Sequence, residues 1–122
     1  MSNTRAPEIT KENDVTVIGF GPEFANLDEP IIDELRDVIL DLASDVDPLL
    51  IVLDMSHIKF FGSSFIEILF RIWNRTNLQE GGQFGISGLT PYCKEVLEVT
   101  HLDQLWRLYE TRDEAIQALT SK

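Results

Sequence analysis

The stretch from Leu49 to Trp73 constrains the fold of this chain more than any other. It begins with an apolar run that ends at Asp54 and continues, after a turn, into a second apolar block. The first run is apolar throughout rather than alternating, which is typical of a strand that is covered on both faces. The second block has the length and the pattern of a helix. The sequence therefore predicts a buried strand from Leu49 to Asp54 and a helix from Ser64 to Leu78.

The turn between these two elements carries two adjacent serines. Gly62 allows a sharp bend, and Ser63 and Ser64 follow where the helix begins. A serine at a helix start commonly accepts hydrogen bonds from free backbone N–H groups, so capping is one role for these hydroxyls. The positive end of a helix also favours a phosphate group, and the cap does not need both hydroxyls. The residues alone leave a structural cap and a phosphorylation site as open alternatives.

The rest of the chain alternates between strand and helix patterns. The predicted elements are a strand at 15–20, a helix at 29–43 with Asp28 as N-cap, a strand at 83–87, a helix at 91–99 with Thr90 as cap, a strand at 105–109 and a last helix to 119 that begins with a capping box at Thr111. Asp47-Pro48 separates the first helix from the central strand. Residues 1–12 are expected to form a loose arm or an edge strand. This alternation predicts one α/β domain over residues 1–122, with its core at about 15–119.

The charge is strongly negative and unevenly distributed. The 122 residues carry a net charge of −11, and residues 1–54 alone hold thirteen acidic and three basic side chains. Such a surface repels phosphate backbones, so we expect no direct binding to nucleic acid. Carboxylates recur at every fourth position of the first predicted helix, namely Glu29, Asp33, Asp37 and Asp41. They form either a solvated face or a docking stripe for a basic partner.

Targeting signals and membrane segments are not predicted. The chain does not open with a basic stretch followed by an apolar one, and charged residues interrupt its longest apolar runs. Cys93 is the only cysteine, so no intramolecular disulfide is possible, and on a helix it is expected to pack as a small apolar residue. We therefore expect a cytoplasmic protein that does not insert into membranes.

An enzymatic function is not predicted either. A nucleophilic serine needs a base and an orienting acid, for which the chain offers Ser63, Ser64, His57, His101, Asp54 and Asp103. The Gly-x-Ser-x-Gly pattern of a nucleophile elbow is absent, because no glycine follows the serines. Two isolated histidines and one cysteine lack the spacing of metal ligands. We expect no catalysis, no metal and no cofactor.

The central stretch resembles the signature of the STAS family, the domain of bacterial anti-sigma factor antagonists. The family pattern is an apolar strand, Asp-(Leu/Met)-Ser, an apolar-polar pair, then Phe-x-Asp-Ser-Ser-Gly-Leu and a helix. The positions that match in order and spacing are Asp54-Met55-Ser56, Ile58, Phe60 and Ser63-Ser64. Gly62 stands where the family usually has an aspartate, and Phe65 and Glu67 stand where small glycines often occur.

The resemblance implies both a fold and a function. The fold is a single STAS-like domain with a small mixed sheet of four or five strands and helices packed largely on one side. The family's phosphorylated residue aligns with Ser63, and Ser64 is the nearest alternative. The implied function is an anti-sigma factor antagonist that binds an anti-sigma factor with serine kinase activity and is switched off by phosphorylation at Ser63.

The resemblance also implies where a partner would bind. The loop from Phe20 to Asp28, the turn at Gly62 and the exposed part of the following helix are expected to lie together. The candidate partner-binding residues are Glu23, Asp28, Gly62, Ser64 and Phe65. The alternative function is a STAS scaffold subunit that is not phosphorylated, for example in an ABC-type lipid transporter or a sensory assembly.

Overall fold

The computed structural model of the protein describes residues 7–44 and 50–120, and it contains strands, α-helices and two short 3-10 helices. The strands are β1 (Glu8–Glu12), β2 (Val15–Gly19), β3 (Asn26–Leu27), β4 (Leu50–Asp54), β5 (Phe60–Phe61), β6 (Gln83–Ser87) and β7 (Arg107–Tyr109). The α-helices are α1 (Glu29–Ser44), α2 (Ser63–Leu78), α3 (Pro91–Val99) and α4 (Arg112–Thr120). The 3-10 helices are Pro22–Phe24 and Leu102–Gln104.

Five of the strands form one mixed sheet with the order β1-β2-β4-β6-β7. Strand β1 is antiparallel to β2, and the remaining neighbours are parallel. The predicted buried strand, β4, lies at the centre of this sheet, and Leu53 pairs with Ile18 on one side and with Ile86 on the other. The expectation of a mixed sheet of four or five strands is confirmed. Strands β3 and β5 form a separate parallel pair.

The helices cover both faces of the sheet, three on one side and one on the other. Side chains alternate along a strand, so Ile51 and Leu53 face the larger core, which includes buried residues of α1, α2 and α3. Val52 faces the opposite way and packs in a second core with Ala115 and Ile116 of α4. This arrangement explains why β4 is apolar throughout, and it confirms that the helices lie largely on one side.

Residues 8–12 form the edge strand β1, one of the two structures expected for residues 1–12. Residues 1–6 and Asp47-Pro48 lie outside the described residues. Asn13 and Asp14 both have positive φ, 53° and 69°, between β1 and β2. Two such residues make the hairpin turn that matches the twist of the flanking strands. One predicted element differs: the strand expected at 105–109 begins only at Arg107, after the 3-10 helix Leu102–Gln104.

Two predicted helix starts are observed with their caps. The Asp28 carboxylate accepts a hydrogen bond from the backbone N–H of Ile31 at 3.3 Å, which caps α1. The Thr111 hydroxyl accepts one from the N–H of Glu114 at 3.1 Å, and the Glu114 carboxylate accepts one from the N–H of Glu110 at 3.1 Å. The capping box therefore forms, except that the Glu114 carboxylate bonds the N–H of Glu110 instead of the N–H of the N-cap residue Thr111.

The start of α3 is held by a different contact from the predicted cap. The Thr90 hydroxyl donates to the carbonyl of Ile58 at 3.3 Å and makes no capping bond. The Cys93 thiol lies 3.6 Å from the same carbonyl and is fully buried, as expected for a small apolar residue. Burial raises the pKa of the Cys93 thiol.

Candidate functional site

The turn before α2 lies beside the loop that follows β2. Strand β5, which leads into Gly62, pairs with β3, which lies within that loop. The backbone N–H groups of Lys59 and Phe60 both donate to the carbonyl of Ala25, at 2.7 and 3.0 Å. The predicted neighbourhood of the loop from Phe20 to Asp28 and the Gly62 turn is therefore observed.

Gly62, not a serine, is the N-cap of α2. Its backbone is extended, with φ −114° and ψ −168°, and its carbonyl accepts hydrogen bonds from the N–H groups of Phe65 and Ile66 at 3.2 and 3.3 Å. No side chain caps this helix, so of the two alternatives left open for the serines, the structural cap is not observed. The helix begins one residue earlier than predicted, because Ser63 already has helical geometry. The backbone N–H groups of Ser63 and Ser64, the first two residues of α2, therefore remain available to an anion.

The two serines have different surroundings. Ser63 is exposed, and its hydroxyl makes no hydrogen bond with any other residue in the described ranges. Ser64 is half-buried, and its hydroxyl donates to the carboxylate of Glu29, the first residue of α1. Of the two candidate acceptors, Ser63 is thus the accessible hydroxyl and Ser64 is the one engaged in a contact between helices.

Phe65 lies in the core rather than on the surface. It is fully buried, and its ring lies 6.0 Å from that of Phe20 and 5.5 Å from that of Phe61, measured between centroids. Its assignment as a partner-binding residue is therefore wrong. As the third residue of α2, it anchors the start of the helix against Phe20, which follows β2, and against Phe61 of β5. Phe60, by contrast, is 43% exposed and stacks on Tyr92, which is also exposed.

The acidic candidates of the loop are accessible. Glu23 is exposed on the 3-10 helix and lines, with His57 and Arg112, a cavity of about 260 Å³ at the carboxyl ends of β2 and β4. Asp28 is exposed as well, although its carboxylate is engaged in capping α1. All four carboxylates of the predicted stripe on α1 are exposed, which fits both a solvated face and a docking stripe.

Asp54 holds this end of the sheet together. One of its carboxylate oxygens accepts from the N–H of Ser56 at 3.1 Å, and the other accepts from the Arg112 guanidinium at 2.9 and 2.8 Å. Burial raises the pKa of the Asp54 carboxyl, but these hydrogen bonds and the charge of Arg112 outweigh burial, so the pKa lies below its ordinary value. The Asp-Met-Ser motif therefore has a structural role here: it joins β4 to α4. Sequence reasoning missed Arg112, because nothing in its local pattern marks a partner 58 residues away.

In the part of the chain that the structure describes, the histidines considered as catalytic bases are not hydrogen-bonded to the serines. His57 is an exposed loop residue, and His101 follows α3 in a left-handed conformation with φ 64°. No hydrogen bond within 7–44 and 50–120 joins either histidine to Ser63 or Ser64. Across the same ranges, no three His, Cys, Asp or Glu side chains are grouped so that they could hold a metal ion. None of the helices described is both long enough and apolar enough to cross a membrane.

Comparison with known proteins identifies the domain. The model of the STAS domain family matches residues 6–115. The structure of an anti-sigma-factor antagonist (STAS) domain protein from Planctomyces limnophilus is 38% identical, with a TM-score of 0.90 over 95% of this chain and 99% of that one. An anti-sigma factor antagonist from Mycobacterium paratuberculosis is 24% identical, with a TM-score of 0.79 over 93% and 92%.

A more distant match has the same fold. The Bacillus cell fate determinant SpoIIAA in its phosphorylated form is 18% identical, with a TM-score of 0.68 over 93% of this chain and 99% of that one. The family match covers the larger core, the Asp-Met-Ser motif, the serine turn and the part of the second core up to Ala115. The protein therefore belongs to the STAS domain family.

Proposed function

We propose that this protein is an anti-sigma factor antagonist that binds an anti-sigma factor with serine kinase activity and is switched off by phosphorylation at Ser63. The observation that carries this proposal is the exposed, unengaged hydroxyl of Ser63 at the first position of α2. The relative from Planctomyces limnophilus, 38% identical, is an anti-sigma-factor antagonist domain protein, which supports the general role. The protein itself catalyses nothing in this proposal and works in the cytoplasm.

The phosphoryl transfer would use the chemistry of the partner kinase. The Ser63 hydroxyl oxygen attacks the γ-phosphorus of ATP bound to the kinase, and a new O–P bond forms. The bond between the γ-phosphorus and the β–γ bridging oxygen breaks, ADP leaves, and the hydroxyl proton passes to a base of the kinase. This protein contributes an accessible acceptor at a helix start, where the helix dipole and the free N–H groups tolerate the new dianion.

Phosphorylation would end binding without refolding the domain. A phosphate adds about −1.5 to −2 charges and three acceptor oxygens at neutral pH. Ser63 lies next to the loop that contains Glu23 and Asp28, so a partner seated on this surface would meet the added charge and bulk at the contact itself. Phe65 supports this surface from below, and Ser64 is engaged with Glu29. Contact with the partner therefore falls to Glu23, Asp28, Gly62 and Ser63.

Co-expression with a candidate serine kinase of the native host tests the assignment. Intact mass measurement should show the addition of one phosphoryl group to the wild-type protein and to the Ser64→Ala variant, but none to Ser63→Ala. Ser64→Ala is the matched control, because it removes the adjacent hydroxyl and leaves the exposed one. Modification of Ser63→Ala at Ser64 would overturn the assignment. No modification by any host kinase would instead favour the scaffold alternative.

A further inference from the structure

The carboxylate at the start of α2 belongs to a residue of another helix. The first turn of α2 has no acidic residue of its own and no side-chain cap. The carboxylate that reaches it belongs to Glu29, which accepts the hydrogen bond from the Ser64 hydroxyl. The two residues are 35 positions apart, so this contact links the beginnings of α1 and α2.

A phosphate on Ser63 would compete with this contact. Ser63 and Ser64 are consecutive residues at the same helix end, so a dianion on the first comes close to the carboxylate held by the second. The helix end can stabilise the phosphate through free backbone N–H groups, whereas it holds Glu29 only through one hydroxyl. The phosphate and the Glu29 carboxylate are both negatively charged and repel each other, and Glu29 is held more weakly at this helix end than the phosphate would be.

We propose that Glu29 is a positioning residue that senses the phosphorylation state of Ser63: it holds Ser64 in the unmodified protein and is displaced by the phosphate. The inference rests on the proposed phosphorylation of Ser63. Glu29 directly follows Asp28, which caps α1 and ends the loop of the proposed partner surface. Displacement of Glu29 therefore loosens the first turn of α1 and carries the signal from α2 into that loop.

Three other charged side chains lie near the start of α2 and also act on a phosphate at Ser63. Asp28 is engaged with the backbone of α1, Glu67 lies one turn along α2 from Ser63, and Lys59 precedes β5. All three are exposed and remain unchanged in the variants below. A difference between variants at position 29 therefore reports the Glu29 carboxylate alone.

Phosphorus NMR on protein that carries phosphoserine at position 63, installed during translation, tests the inference. The second ionisation of the phosphate should have its midpoint at a higher pH with Glu29 than with Glu29→Gln. For charges roughly 7 Å apart in a water-like medium, the difference is on the order of a few tenths of a pH unit. Asp37→Asn is the matched control. It removes the same charge from an exposed site on the same helix, about 12 Å further along, where salt screens it.

Hydrogen exchange gives a second readout. Phosphoserine at position 63 should speed amide exchange in the first turn of α1 of the wild-type protein. The increase should be absent in Glu29→Gln, because a neutral amide can still accept the Ser64 hydrogen bond and is not repelled. Equal midpoints in all three proteins, or an increase in exchange that persists in Glu29→Gln, would overturn the role of Glu29. Because no kinase is used, that result would leave the assignment of Ser63 intact, whereas failure of the kinase experiment removes the premise.

Discussion

Truncation of Phe65 measures how far the start of α2 depends on the core beneath it. The Phe65 ring is fully buried between the rings of Phe20 and Phe61. Replacing such a ring by alanine costs about 3–5 kcal/mol in the free energy of unfolding. For a domain of this size each kcal/mol lowers the melting temperature by roughly 3–6 °C, so Phe65→Ala should melt about 10–30 °C below the wild type. Urea unfolding followed by tryptophan fluorescence gives the free energy directly.

Phe60→Ala is the matched control for this measurement. Its ring is 43% exposed, and the stacked contact with Tyr92 accounts for about 1 kcal/mol of stability. The stability loss should therefore be several times larger for Phe65→Ala than for Phe60→Ala. If Phe65→Ala lost less stability than Phe60→Ala while binding of a partner weakened, the ring would act at the surface and its assignment to the core would be refuted.

Three further predictions concern the turn, the loop and the end of the sheet. Gly62→Asp should fold normally and change the free energy of unfolding by only a few tenths of a kcal/mol, because a Cβ at Gly62 meets nothing within 4 Å. The variant should be phosphorylated faster than the wild type; an unchanged initial rate would show that the missing aspartate is irrelevant to the kinase. Glu23→Lys should weaken partner binding in titration calorimetry far more than Asp113→Lys, whereas equal losses would indicate long-range charge rather than local contact. Asp54→Asn should cost about 1–3 kcal/mol at pH 7 through its bonds with Arg112. The pKa of Asp54 is lower in the folded protein than its ordinary value of 3.8. The contribution of Asp54 to stability is therefore complete above pH 3.8 and is lost as the pH falls through the folded pKa. If the urea midpoints of wild type and variant stayed the same distance apart across this range, this predicted pH dependence would be contradicted.

The order of the longer strands and helices could be predicted from local patterns, whereas the two-residue strands β3 and β5 and the 3-10 helices were not predicted. The unbroken apolar run of β4 indicated cover on both faces, and α4 on the second face provides it. The Asp28 cap and the Thr111 capping box depend on residues three positions apart, so the sequence reveals them. The edge strand β1 also had a local signal in the Asn13-Asp14 turn, which favours a hairpin over a loose arm.

The side-chain environments of the site could not be predicted in the same way. Helix α2 is apolar nearly all round, and periodicity alone cannot separate the buried Phe65 from Phe70, which is 37% exposed. The contact of Ser64 with Glu29 spans 35 residues and follows from how α1 packs beside α2. A local pattern therefore identified the pair of serines, but only the packed structure distinguishes the exposed hydroxyl from the engaged one.

The affinity of the protein for the anti-sigma factor kinase of its host, measured by titration calorimetry before and after phosphorylation at Ser63, tests the central claim most directly. The unmodified protein should bind, and a charged group at the centre of the contact should weaken binding by about 10- to 100-fold, or roughly 1.4–2.8 kcal/mol. The Ser63→Ala variant, treated in parallel with kinase and ATP, should keep its full affinity. Equal affinities of the phosphorylated and unmodified proteins would contradict the account, because phosphorylation of Ser63 would then not act as the switch.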